Sequence, residues 1–208
     1  MSRSKYINTF NTTAEYDAYI ESAYPEFPNV GYDKEAGVVN IRRQSPNDYQ
    51  IWGTTTATEN FNIKLNGQNV EVTVDPDLGE FYLTGWTGTL TSLKNCFNEA
   101  RHITSIKKFA LDTSNVSRFD NALYNCVNMI TLNFNNVNVK SDLTTSSFSY
   151  MWLGTNNLTD IYLSEESALM AFTNNLHSQG DNYIRSSATI HYNDVDYKWQ
   201  NNAWTPQS

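Results

Sequence analysis

The chain has 208 residues, enough for one or two domains with a real core. Its net charge is −8 and no basic stripe interrupts the acidity, so phosphate backbones are poor partners and no nucleic acid is expected. Charged residues are only 17% while aromatics reach 13%, and Asn, Thr and Ser fill the polar positions, a mix that favours strands and turns over helix. The opening MSRSKYINTF lacks an apolar run, so no signal peptide is expected, and no stretch is long and apolar enough to suggest membrane insertion.

Residues 1–45 read as a first unit. TTAEYDAYIESAYPEF predicts a short helix, with Thr12 and Glu15 as a capping box and Tyr16, Tyr19, Ile20 and Tyr24 on one face. Pro25 and Pro28 stop it. VGYDKEAGVVNI predicts two short strands, Val30–Tyr32 and Val38–Ile41, around a turn with Gly37. A helix with one hairpin is too small to stand alone, so this unit must pack on something.

Residues 46–59 are polar and turn-rich, which predicts a linker. Residues 60–89 predict a meander: FNIKL, an Asn66-Gly67 turn, a strand alternating Val70, Val72 and Val74, then DPDLG and EFYLTGW.

From about Leu90 to Leu163 the sequence echoes itself. Ile103, Ile106, Leu111, Val116, Phe119, Leu123 and Cys126 recur in kind as Met129, Leu132, Val137, Leu143, Ser147, Trp152 and Thr155, with extra residues near Thr144–Ser147. A third pass starts at Leu158 and Ile161. Such a unit cannot bury its apolar side alone and must stack on a neighbour. The meander would close one end of the stack. A helix with Ser164 as N-cap and Leu169, Phe172 and Leu176 as its stripe would close the other. The tail predicts strands around Asn-rich turns, with Trp199 and Trp204 five apart. Cys96 and Cys126 are expected to be buried free thiols, a disulfide being the alternative.

The repeat resembles the BspA-like class of leucine-rich repeat, and LDTSNVSRFDNALYNC from Leu111 to Cys126 carries that likeness. Lys108 in a strand position, Thr155 in place of the repeat cysteine and the long second turn depart from it. The resemblance implies a short leucine-rich-repeat solenoid over about 75 residues, and with the elements read above the expected fold is mainly β with minor α, the solenoid flanked by β-hairpins and preceded by a small N-terminal helix–hairpin unit. Its parts would be 1–45 for docking, 46–59 as linker, 60–89 as meander cap, 90–163 as repeats, and 164–208 as helix and hairpin cap. KYINTF, EYDAY and PNVGY are similar to an opening module of virion proteins from Bacteroidales phages, including crAss-like phages, and YKWQNNAW is similar to a hairpin that ends many phage structural proteins. That resemblance implies a non-enzymatic virion protein, as capsid decoration or head fibre, made in the host cytoplasm. Its partners would be other virion proteins of capsid or tail, further copies of itself, and a host-surface protein or glycan. A bacterial surface adhesin with BspA-like repeats is the rival reading, and a glycan-degrading enzyme a weaker one.

Chemistry is hard to find in the residues. His102, His177 and His191 lie far apart without the close-spaced partners of a zinc site, so no metal or other cofactor is expected. Asp75, Asp77 and Glu80 lack the later ligands of a calcium loop and read as a β-turn. Glu165 and Glu166 suit a helix start better than a catalytic pair, and no base is nominated for any Ser or Thr. The candidate contact residues are Tyr6, Phe10, Tyr16, Tyr19 and Tyr24. Either they cover their own hairpin or they anchor to another protein, a role suited to Tyr.

Overall fold

Short apolar–polar alternations separated by Asn and Gly turns make strands, and strands dominate the described residues. The computed structural model describes residues 48–175 and 188–207, together with the strand backbones at 7–9, 31–33 and 38–40. The chain divides into two compact units, Met1–Asp48 and Tyr49–Ser208.

In the first unit, β1 (Ile7–Thr9), β2 (Gly31–Asp33) and β3 (Val38–Asn40) form an antiparallel sheet with β3 in the centre. The two strands expected from VGYDKEAGVVNI are present, one shifted by a residue. β1 is an addition to the expected elements. The expected helix and its tyrosines lie outside the described residues.

The second unit is built on a ten-stranded mixed sheet. Its strands are β4 (Ile51–Thr55), β5 (Phe61–Leu65), β6 (Gln68–Asp75), β7 (Glu80–Leu83), β8 (Ile103–Phe109), β9 (Thr131–Asn133), β10 (Asp160–Leu163), β11 (Thr189–Tyr192), β12 (Val195–Gln200) and β13 (Ala203–Pro206). The spatial order is β13-β12-β11-β10-β9-β8-β4-β7-β6-β5. One short helix, α1 (Glu166–Asn175), accompanies it, so the described fold is mainly β with minor α.

β4 corrects the expected linker. Residues 51–55 run antiparallel between β7 and β8, in the middle of the sheet, with Ile51, Gly53 and Thr55 buried. Gly53 is required there, because a Cβ would lie 2.1 Å from the Ser105 carbonyl oxygen and 2.6 Å from the Phe81 ring. The register of β4 on β8 steps from Trp52↔Lys108 to Gly53↔Ile106, a bulge that passes over Lys107. The bulge explains how Ile106 and Phe109, three apart, both reach the core. It also leaves Lys107 over the Trp52 ring, 4.9 Å from its centroid.

β8, β9, β10 and β11 are parallel and in step. Ser105 pairs with Thr131, Thr131 with Asp160, and Asp160 with Thr189. A second ladder links the turn segments away from these strands. The N–H groups of Leu93, Asn95, Phe97 and Glu99 donate to the carbonyls of Arg118, Asp120, Ala122 and Tyr124. Those of Phe119, Asn121, Leu123 and Asn125 donate to Ser147, Ser149, Met151 and Leu153. Positive φ recurs in the same layered places, at Asn95, Asn121 and Tyr150 and again at Glu99, Asn125 and Gly154. The spacing is 26 residues at the first step and 29 at the second in both strands and turns. A 3-10 turn at Thr145–Phe148 lies where the second layer is longer.

Asp112 and Thr113 turn the chain between layers. The Asp112 carboxylate accepts from Ser114 N–H at 2.9 Å, while the Thr113 hydroxyl donates to Asn138 O and accepts from Asn138 N–H. At another corner Asn128 and Asn157 each donate a side-chain N–H to the layer before, at Arg101 O and Val127 O.

The core runs between the two ladders. Phe119 stacks on Phe148 at 5.2 Å, which corrects the expected match of Phe119 with Ser147. Phe148, Trp152 and Phe134 then meet Phe172 of α1, so the helix covers one end of the ring cluster. At the opposite end β5 donates through Lys64 and Asn66 N–H to Cys96 and Ser92 carbonyls, laying the β5–β6 hairpin over the first layer. Its turn has φ +53 at Asn66 and +76 at Gly67, as the Asn-Gly pair predicts. Ser164 is not an N-cap. Its hydroxyl donates to Asn135 O in the layer before, and the Glu165 carbonyl takes the first helical N–H groups, from Ala168 and Leu169. Cys96 and Cys126 are both free and buried, and burial pushes the Cys126 thiol up to about 12.

Candidate functional site

β10, β11 and β12 place three polar groups side by side on the face opposite the core. Ile161 and Ile190 point inward and are fully buried, so Asp160, Tyr162 and His191 point outward, with Asp196 opposite His191 on β12. His191 Nε2 lies 2.9 Å from Asp160 Oδ1, and its Nδ1 lies 2.8 Å from Asp196 Oδ1. Both ring nitrogens are thus held, one on each neighbouring strand. The imidazole stacks on Tyr162 with centroids 4.4 Å apart and planes 14° from parallel. Tyr162 keeps 37% of its surface exposed. Thr159's hydroxyl, 2.7 Å from Asp160 Oδ2, holds the Asp160 carboxyl below its ordinary pKa, and His191 adds to this against a rise from partial burial.

Tyr162, His191 and Asp196 border an open cleft of about 450 Å³. Asn135 and Ser164 lie on one side of it. The β11–β12 turn, with Asn193 and Asp194 at positive φ, lies on the other. Tyr192 lines it as well. The lining is mainly polar and aromatic, with Leu163 and Val195 as its aliphatic members, and is suited to hydrogen bonding and ring contact.

Farther along the sheet the rings of Tyr49 and Tyr82 stack at 4.5 Å, beside the Trp52–Lys107 pair. Behind the second ladder, Asp120 is 5% exposed and joins two cations: Arg118 Nε at 2.6 Å from its own layer and Lys94 Nζ at 3.2 Å from the layer before. Burial alone would raise the Asp120 pKa. Arg118 and Lys94 overcome that and hold it below the usual carboxylate range.

The sequence candidates fall elsewhere. Tyr6, Phe10, Tyr16, Tyr19 and Tyr24 lie outside the described residues, as does His177. His102 packs its ring edge on Phe61 at 4.2 Å, and burial lowers its pKa. Among the described residues, no group of three His, Cys, Asp or Glu side chains is arranged to hold a metal ion. Asp75 turns the chain by accepting from Leu78 N–H, and Glu166 opens α1. The His191 cluster escaped the sequence reading because Asp160 stands 31 positions away. Its one local signal is His191 followed by Asp196 across a two-residue Asn-Asp turn.

No protein family, curated protein or solved structure matches this chain. No described helix is long and apolar enough to cross a membrane.

Proposed function

We propose that this protein is a non-enzymatic virion component of a tailed Bacteroidales phage, serving as capsid decoration or head fibre. In this reading the first unit docks to capsid or tail proteins through Tyr6, Phe10, Tyr16, Tyr19 and Tyr24. The second is a short leucine-rich-repeat solenoid of the BspA-like kind, closed by the β5–β6 hairpin and by α1. The observation that carries the reading is the division at Asp48 into a small unit and a layered body, which gives one part to attach and another to present. The layers spaced like the repeat, and the DTSNV turn between them, support the solenoid assignment. Repetition on a symmetric particle would raise effective concentration, so weak contacts would suffice.

Peptide mass spectrometry on gradient-purified particles tests it. High copy number relative to the major capsid protein is expected, and recovery solely in the bacterial envelope fraction overturns it. Replacing Tyr16 and Tyr19 with Ala should stop incorporation into particles while leaving the layered body folded. The second reading, a bacterial surface adhesin with the same repeats, is favoured by the polar and aromatic cleft beside His191.

A further inference from the structure

We infer that the cleft beside Tyr162 and His191 is a binding site for neutral carbohydrate. The inference deepens the presentation of the layered body, and rests on that reading for its biological sense.

The strongest observation is a chain of restraints that ends on an exposed ring. Asp160 and Asp196 hold both nitrogens of His191 at 2.9 and 2.8 Å. His191, so fixed, stacks on Tyr162 at 4.4 Å. Tyr162 is 37% exposed where it lines the cleft. A solvent-facing tyrosine normally samples several rotamers, and ordering it costs free energy on binding. Here the ring is ordered in advance by a neighbour that is itself held from two strands.

The chemistry of the lining selects the ligand class. The C–H bonds of a sugar ring carry slight positive charge and are drawn to the negative face of an aromatic ring. Each sugar hydroxyl both donates and accepts. Asp194 and the Ser164 hydroxyl oxygen can accept, Asn135 offers a side-chain amide, and all three line the same cleft. A volume of about 450 Å³ lies within the small-ligand range. The carboxylate of Asp194 disfavours phosphate, sulfate and uronate. The polar lining and open mouth disfavour a purely apolar ligand. A cationic peptide is the competitor, but Asp160 and Asp196 are already engaged with His191.

The full chain is to be probed by saturation-transfer NMR with trimers of glucose, galactose, mannose and N-acetylglucosamine, and separately with a Lys-rich peptide. At least one trimer should give signal, with affinity falling at least tenfold in Tyr162→Ala, and the peptide should give none. Absence of signal from every trimer overturns the inference. So does trimer binding that Tyr162→Ala leaves intact, or peptide binding that Tyr162→Ala removes. If Tyr162→Ala disturbs the fold, chemical-shift mapping on the wild-type chain decides. Shifts centred on Tyr162, Tyr192 and Asp194 support the site, and shifts elsewhere overturn it. Trimer binding by a chain missing from purified particles would keep the site and sink the virion reading, and the converse separates them equally.

Discussion

Cys126 and Thr155 occupy the same place in successive layers, and each gives its side-chain hydrogen to the layer before: Cys126 to Phe97 O, and Thr155 to Leu123 O. The acceptors are themselves one layer apart. The threonine that departs from the repeat pattern therefore keeps the function of the cysteine, a buried donor joining two layers. Thr155→Cys should change stability by less than about 1 kcal/mol, while Thr155→Val, which has no donor, should cost roughly 1 kcal/mol or more. Urea denaturation midpoints of the two variants separate these outcomes.

Leu132 is fully buried between its neighbouring strands. Leu132→Ala should destabilise the layered body by about 2–5 kcal/mol. Unchanged urea melts would be incompatible with the layer register described above.

Gly53 offers a sharper steric test. The Ser105 carbonyl in the path of a Cβ is backbone and cannot rotate aside. Gly53→Ala should therefore cost about 1–3 kcal/mol, the range for overpacking, or more if β4 must separate from β8. Gly67→Ala is the contrasting control: nothing lies within 4 Å of its Cβ, so any cost comes from its φ of +76 rather than from contact.

Acid should weaken the body in two stages. His102 has a folded pKa below its ordinary value of 6.5, so the unfolded chain binds its proton first. Stability is complete above about 6.5 and falls as pH drops from there toward the lower folded value. Asp120 is also depressed, so its contribution is present above the ordinary carboxylate pKa of about 3.9 and is lost as pH falls through the folded value. His102→Gln should flatten the first stage and Asp120→Asn the second. Urea midpoints measured from pH 8 to pH 2 would show it, and identical profiles for all three chains would refute both assignments.

Local signals were legible and distant ones were not. Asn66-Gly67 and Asn193-Asp194 announce their hairpins because their positive φ values suit tight two-residue turns. Val70, Val72 and Val74 mark β6 for a similar reason, since alternation is a property of the strand itself. IWGTT reads as linker because its glycine and threonines look turn-like. Only the facing Phe81 ring and Ser105 carbonyl reveal why a glycine belongs in the middle of a sheet. Ser164 stands just ahead of a helix, as an N-cap should, yet a carbonyl from the layer before takes its hydroxyl. The match of Phe119 with Phe148 rather than Ser147 depended on where the longer layer absorbs its extra residues, which sequence spacing leaves open. The His191 cluster exists only once β10, β11 and β12 are aligned.

The position of β4 has a consequence for how the chain is made. In a simple stack each unit can settle on the one already formed, and order can spread from one end to the other. Here an interior strand emerges before either neighbour, and its pairing with β8 waits for some fifty further residues. β7 can take one edge of β4 earlier, but until β8 arrives the other edge keeps its backbone N–H and C=O groups unpaired, and such open edges invite association between nascent chains. The meander and the layers are thus fastened together by a late, long-range closure, and the speed of that step would govern how much newly synthesised protein escapes aggregation.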